Sequence, residues 1–130
     1  MRPDLAAAPG RARRRRALAR GALAEWRALA ALMLKGWRPL ARRWRVHGGE
    51  IDLVMRRGRL VIFVEVKARA ALDDARLAVT PQKRRRLARA IRAWRSRNRW
   101  ADTGWSFRVD AVFLGRGRWP VHVEGVMEVS

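Results

Sequence analysis

Two short segments, Glu50-Ile51-Asp52 and Glu65-Val66-Lys67, put three carboxylates and an ammonium on strand-like runs that are otherwise apolar. Side chains alternate faces along a strand, so Glu50 shares a face with Asp52 and Glu65 shares one with Lys67. The runs read as a hairpin turned at Arg56-Arg57-Gly58-Arg59. A loop of Arg57-Gly58, or of Arg56 to Arg59, sets Met55 opposite Leu60. Asp52 then falls opposite Phe63, Glu50 falls opposite Glu65, and all four polar groups leave one face. A loop of odd length puts them on opposite faces. In the even register Asp52 and Glu65 are diagonal neighbours, roughly 7–8 Å apart at the backbone. Glu50 and Glu65 repel each other across the pair unless a cation intervenes.

A divalent cation on Asp52 and Glu65 relieves that repulsion, with Glu50 as a further candidate ligand. Mg²⁺ is held by one or two carboxylates while keeping waters and a substrate phosphate. Phosphodiester hydrolysis needs charge neutralised on phosphoryl oxygens and a water made nucleophilic, and Mg²⁺ or Mn²⁺ does both. Lys67, beside such a carboxylate, is placed to orient or deprotonate the water. The plainer alternative is a solvated hairpin face on which Glu and Lys merely pair.

Around this hairpin the periodicities give one α/β domain over residues 17–130, with a mixed sheet flanked by helices. Its order is helix, three strands, helix, two strands. Residues 1–16 mix Arg, Ala, Pro and Gly without a period and read as a flexible basic arm. Helical spacing runs from about Ala17 to Lys35 through Leu18, Ala22, Leu29, Leu32 and Met33, with Gly36 as a stop. A strand follows in "WRPLARRWRV", where Pro39 argues for an edge or a bulge. Thr80-Pro81 is a helix start, with a hydroxyl cap and Pro in the first turn. Leu87, Ala90, Ile91 and Trp94 form that helix's apolar seam. "SFRVDAVFL" and "WPVHVEGV" complete the strands. The tryptophans are read mostly as core, Asp110 as a sheet-edge acid paired with an arginine, and His122 as structural.

Composition narrows the chemistry. There is no Cys and only two His in the chain, which excludes thiolate and His-rich metal sites and leaves hard cations on oxygen. The net charge is +20, and all but three of the 31 basic residues are arginines. Such charge attracts polyanions, so nucleic acid is the expected partner, DNA ahead of RNA. The second helix carries Lys83, Arg84, Arg85, Arg86, Arg89 and Arg92 with no acid among them. Like charges at helical spacing cost stability, and docking of a polyanion accounts for their retention. Arg69, on the parity of Lys67, is placed to hold the scissile phosphate. No run reaches the roughly 20 apolar residues needed to cross a bilayer, so a cytoplasmic protein without membrane contact is expected. Monomer and dimer both stay open.

"GEIDLV" followed by "FVEVKAR" resembles the YraN-like family of predicted endonucleases, within the PD-(D/E)xK nuclease superfamily. The likeness extends from about Gly21 to Val126, taking in "GALAEWRALAALMLKG", "TPQK" and "FRVDAV". It implies a restriction-endonuclease-like fold, Asp52 and Glu65 as metal-binding acids and Lys67 as the catalytic lysine. It also implies that Glu25 assists catalysis from the first helix as an additional ligand. The residues alone leave Glu25 either as a ligand or as an Arg-paired acid at the edge of the apolar stripe. The proline that names the superfamily motif is absent before Asp52.

Overall fold

The computed structural model describes residues 22–67, 80–115 and 117–129. The proposed basic arm over residues 1–16, the start of the first helix and Arg69 lie outside them. Helix α1 covers residues 22–34. Strands β1 (Arg38–Val46), β2 (Gly49–Arg57) and β3 (Leu60–Lys67) follow as a meander. Helix α2 (Pro81–Arg97) and a 3₁₀ turn (Arg99–Ala101) lead to β4 (Ser106–Phe113) and β5 (Val121–Met127). The strands form one sheet in the order β1-β2-β3-β4-β5, antiparallel except where β4 runs parallel to β3. A parallel neighbour needs a crossover, and the segment containing α2 supplies it. The expected order of elements is the one observed, with a single mixed sheet between two helices.

Each helix caps one face. Leu87, Ala90, Ile91 and Trp94 of α2 pack on Val54, Val61, Phe63, Val109 and Ala111. Ala24, Ala28, Leu29 and Leu32 of α1 pack with Trp37 on Leu53, Met55, Ile62, Val64 and Val112. The alternation of these two sets along β2 and β3 is the strand period made visible. Each such Val, Leu or Ile contributes about 1.5–3 kcal/mol of burial. Thr80 caps α2 by accepting from the Lys83 N–H, with Pro81 in the first turn, an arrangement worth about 1 kcal/mol. Pro39 sits on the edge strand, where the register shifts between Pro39 and Ala41.

Glycine matters most at the β1–β2 turn. Gly48 has φ +75, and a Cβ on Gly49 would stand 2.7 Å from the Arg86 carbonyl and 2.9 Å from the Ala90 nitrogen. Only hydrogen fits there. The backbone of α2 therefore rests directly on the start of β2, one residue before Glu50.

The hairpin register differs from the expected one by two residues. Arg57 pairs with Leu60 across a Gly58-Arg59 turn, and the ladder runs to Leu53 opposite Val64. Gly58, at φ +60, takes the first turn position itself, which moves the turn one residue along. By the same count Asp52 comes opposite Glu65, and Glu50 comes opposite Lys67.

Candidate metal and nucleic-acid site

Beyond Leu53 and Val64 the two strands no longer exchange ladder hydrogen bonds. Asp52 Oδ2 instead accepts the Val66 N–H at 2.8 Å. A side chain has replaced a backbone carbonyl, which opens the hairpin at its polar end. On the β1 side, Arg43 takes the left-handed conformation at φ 51, a cost for a non-glycine residue that surrounding contacts must offset. One such contact is visible: Arg43 Nε donates to Glu25 Oε1 of α1.

These distortions undo the expectation of a single polar face. Glu50 and Asp52 line a cavity of about 170 Å³ on the α1 side, with Ala24, Glu25, Arg43, Arg45 and Val66. Glu65 lines a second depression on the α2 side, with Glu50, Lys83, Arg86 and Leu87. Asp52 and Glu65 thus line opposite sides of the opened hairpin, near enough for the Glu65 charge to act on the Asp52 carboxyl. Simple alternation fails because Ile51, one residue away, packs with Val54 and the α2 cluster.

The electrostatics follow from this crowding. Burial first, then the Glu65 charge, pushes the Asp52 carboxyl up to about 8; the Val66 N–H opposes this, and Glu25 and Glu50 add to it. Glu65 Oε1 receives two ammonium groups, Lys67 Nζ at 3.3 Å and Lys83 Nζ at 3.1 Å. Burial and the neighbouring Lys83 draw the Lys67 ammonium below its ordinary range. Lys83 moves the other way: burial opposes its charge, but Lys67, Glu65 and Asp52 together raise it. One lysine is thereby favoured as base and the other as fixed cation.

Of the residues singled out from sequence, Asp52, Glu65, Lys67, Lys83, Glu50 and Glu25 are brought to this end of the sheet. Glu25 is 7% exposed and paired with Arg43, the arrangement weighed for it as an Arg-paired acid. Glu50 pairs with Arg45 at 3.3 Å. Arg84, Arg85, Arg86, Arg89 and Arg92 are exposed on α2, and Arg89 covers the Gly48 turn. Arg43 and Arg45 were missed by sequence reading. Their odd-numbered spacing opposite Glu50 and Asp52 was the available signal. Asp110 is paired with Arg108 as expected, but β4 is an interior strand and Asp110 is fully buried. The tryptophans are mostly inside, as expected, with Trp37 and Trp94 in the core and Trp44 and Trp105 packed against it, while Trp26, Trp100 and Trp119 are 51%, 49% and 65% exposed.

The donor set suits a hard divalent cation: carboxylate oxygens, no thiolate, and two acids held together against their own repulsion. Among the described residues no group of three or more His, Asp or Glu is arranged as a metal cage. Two carboxylates are nonetheless enough for Mg²⁺, which keeps most of its waters.

An open five-stranded mixed sheet with a helix on each face defines a single α/β domain of the restriction-endonuclease-like class. Residues 24–114 match the model of a family described as Uncharacterised protein family UPF0102. The chain belongs to that family, which is the YraN-like family of the sequence resemblance. It is 60% identical to a UPF0102 protein of Methylobacterium radiotolerans over 125 residues, covering 95% of this chain and 96% of that one. A UPF0102 protein of Methylorubrum extorquens is 54% identical over 130 residues, covering 100% and 98%. One of Mesorhizobium japonicum is 54% identical over 114 residues, covering 87% and 90%.

Proposed function

We propose that the protein is a Mg²⁺- or Mn²⁺-dependent nuclease of the PD-(D/E)xK superfamily that hydrolyses phosphodiester bonds, DNA being favoured over RNA. The observation that carries this reading is the meeting of Asp52 and Glu65, two repelling carboxylates, beside a lysine whose proton is loosened. Asp52 and Glu65 would hold the cation, and Glu25 would join only by releasing Arg43. The bound ion would polarise phosphoryl oxygens and lower the pKa of a water. Lys67 then orients and deprotonates the attacking water, and Lys83 anchors Glu65 through its ion pair. The exposed arginines of α2 bind the phosphate backbone. A cytoplasmic location follows from that substrate class.

One observation favours a second reading, a nucleic-acid-binding protein that does not cut. Among the described residues, each acid at this end apart from Asp52 already has a cation: Glu25 has Arg43, Glu50 has Arg45, and Glu65 has two lysines.

Incubation of wild type and Asp52→Ala with linear and structured DNAs and RNAs, in Mn²⁺ or EDTA, separates the two. The nuclease reading expects cleavage by wild type in Mn²⁺ alone and none by the variant. Binding without cleavage on every substrate would leave the non-cutting protein.

A further inference from the structure

Two neighbouring contacts join α1 to β1. Arg43 reaches Glu25, and one residue along on each element, the Arg42 guanidinium lies 4.4 Å from the centroid of the Trp26 ring. Glu25 and Arg43 line the cavity that holds Asp52. Trp26 and Arg42 therefore stand immediately outside it. Trp26 is 51% exposed, with Leu23 at 60% one turn earlier. Leaving an indole half in water forgoes about half of its burial energy.

We propose that the solvent-facing side of Trp26 is a stacking site for an unpaired nucleobase next to the bond being cut. The proposal rests on the nuclease reading and deepens it by naming the substrate class: nucleic acid with a single-stranded segment at the cavity. Arg42 holds one side of the indole flat and supplies a cation for the adjoining phosphate. Inside a duplex both faces of each base are already covered by its neighbours, so only an unpaired or terminal base has a face to offer Trp26. A nucleotide whose phosphate enters the cavity carries the next base to the rim, where Trp26 stands. The other exposed tryptophans are placed differently. Trp100 is committed edge-on to Trp94 and Trp105, and Trp119 leads into β5, the edge strand opposite β1.

Fluorescence anisotropy in EDTA, so that nothing is cut, tests this with a labelled single-stranded DNA and the blunt duplex of the same sequence. Trp26→Ala is expected to weaken single-strand binding about 5- to 100-fold and to change duplex binding by less than about twofold. Trp26→Phe, which keeps an aromatic face, should restore most of the loss and controls for misfolding. Equal weakening on both probes, no weakening on either, or a wild type that binds neither would overturn the stacking site. So would a Trp26→Ala chain that changes its oligomeric mass while single-strand affinity stays put, since the patch is then a protein interface. Failure of the nuclease reading looks different: wild type binds the single strand and never cuts it in Mn²⁺, while the Trp26 effect remains.

Discussion

Asp52 and Asp110 are the same side chain on two strands of one sheet, the first half-buried and the second fully buried, and the protein treats them in opposite ways. Asp110 accepts from Arg108 Nε at 2.7 Å and Nη2 at 2.8 Å and from the Gly125 N–H at 3.1 Å, and it meets His122 Nε2 at 2.7 Å. Burial alone would raise its pKa, but these partners outweigh it and bring the carboxyl below its ordinary value. Asp52 has the Val66 N–H and faces Glu65, Glu25 and Glu50, and it is pushed up to about 8. The Asp110 cluster is complete within the chain and holds β5 in place at its bulge, where the register shifts between Val109 and Ala111. Among the described residues no cation makes a hydrogen bond or ion pair with Asp52, and in the nuclease reading a metal ion would complete that end. A half-buried carboxylate left in that state is what the proposed metal site rests on.

Catalysis is where the two ends should differ most. Lys67→Ala is expected to reduce cleavage about 10²–10⁴-fold while metal and nucleic-acid binding persist. Asp52→Ala should abolish cleavage together with Mn²⁺ binding, read by calorimetry. A variant at the other end, Asp110→Asn, should cut normally at temperatures where it stays folded. Cleavage equally resistant to Lys67→Ala and Asp52→Ala would break the distinction.

Stability should separate them with opposite signs. Asp110→Ala strips Arg108 and His122 of their shared partner, and a loss of about 3 kcal/mol is expected in denaturant unfolding. Asp52→Asn keeps an acceptor for Val66 and removes a charge from among three acids. A gain of about 1 kcal/mol in metal-free protein at pH 8.5 is expected. Two losses of similar size would mean that Asp52 is as fully satisfied as Asp110.

The pH dependence is a smaller effect with a sign that can be worked out. The folded Asp52 binds its proton more tightly than the unfolded chain does. Its contribution is therefore full at acid pH and is lost as pH climbs from about 4 towards about 8. Asp110 behaves inversely: its contribution is present above about 4 and is lost as pH falls through its lowered folded value. The Tm profile of Asp52→Asn should part from wild type as pH rises towards about 8, whereas that of Asp110→Asn should lie below wild type above about pH 4 and approach it as pH falls. Mn²⁺ should raise the wild-type Tm more at pH 8.5 than at pH 6, because it competes with the Asp52 proton at the lower pH.

Much of this was legible in the sequence because it depends on local period. The apolar seam of α2, its Thr80-Pro81 start and the bulge at Pro39 follow from nearest-neighbour sterics and capping, which the chain writes out residue by residue. The pairing of Asp52 with Glu65 was legible as proximity but not as geometry. The turn slid onto Gly58, and the swap of a side chain for a carbonyl at Val66 broke the face alternation. The first is turn chemistry at Gly58, and the second accompanies a tertiary contact, Arg43 paired with Glu25 from an unfavourable backbone conformation. The Asp110 cluster was half legible. An arginine partner two residues away follows from strand parity, but His122 comes from a strand whose register no local signal fixed.

The last contrast is one of long-range charge. Helix α2 begins at the Asp52 end, where Lys83 bonds Glu65, and Arg85, Arg89 and Arg92 extend its exposed basic surface. Arg108, by contrast, is spent on Asp110 and Glu124. If the α2 arginines meet phosphates, each should contribute a slope of about −0.9 to log K against log salt for duplex DNA. Replacing Arg85, Arg89 and Arg92 by Gln should flatten that slope by up to about 2.7 if all three make contact. Arg108→Gln, measured where it remains folded, should leave the slope alone. Arg89 also lies over the Gly48 turn, so single substitutions at Arg85 and Arg92 are the cleaner readout. Calorimetric Mn²⁺ affinity should stay constant through the series, because screening weakens the field of exposed charges beyond about 10 Å at 0.1 M salt. A slope unmoved by the triple substitution would shift nucleic-acid docking off α2 and onto the arginines of β1.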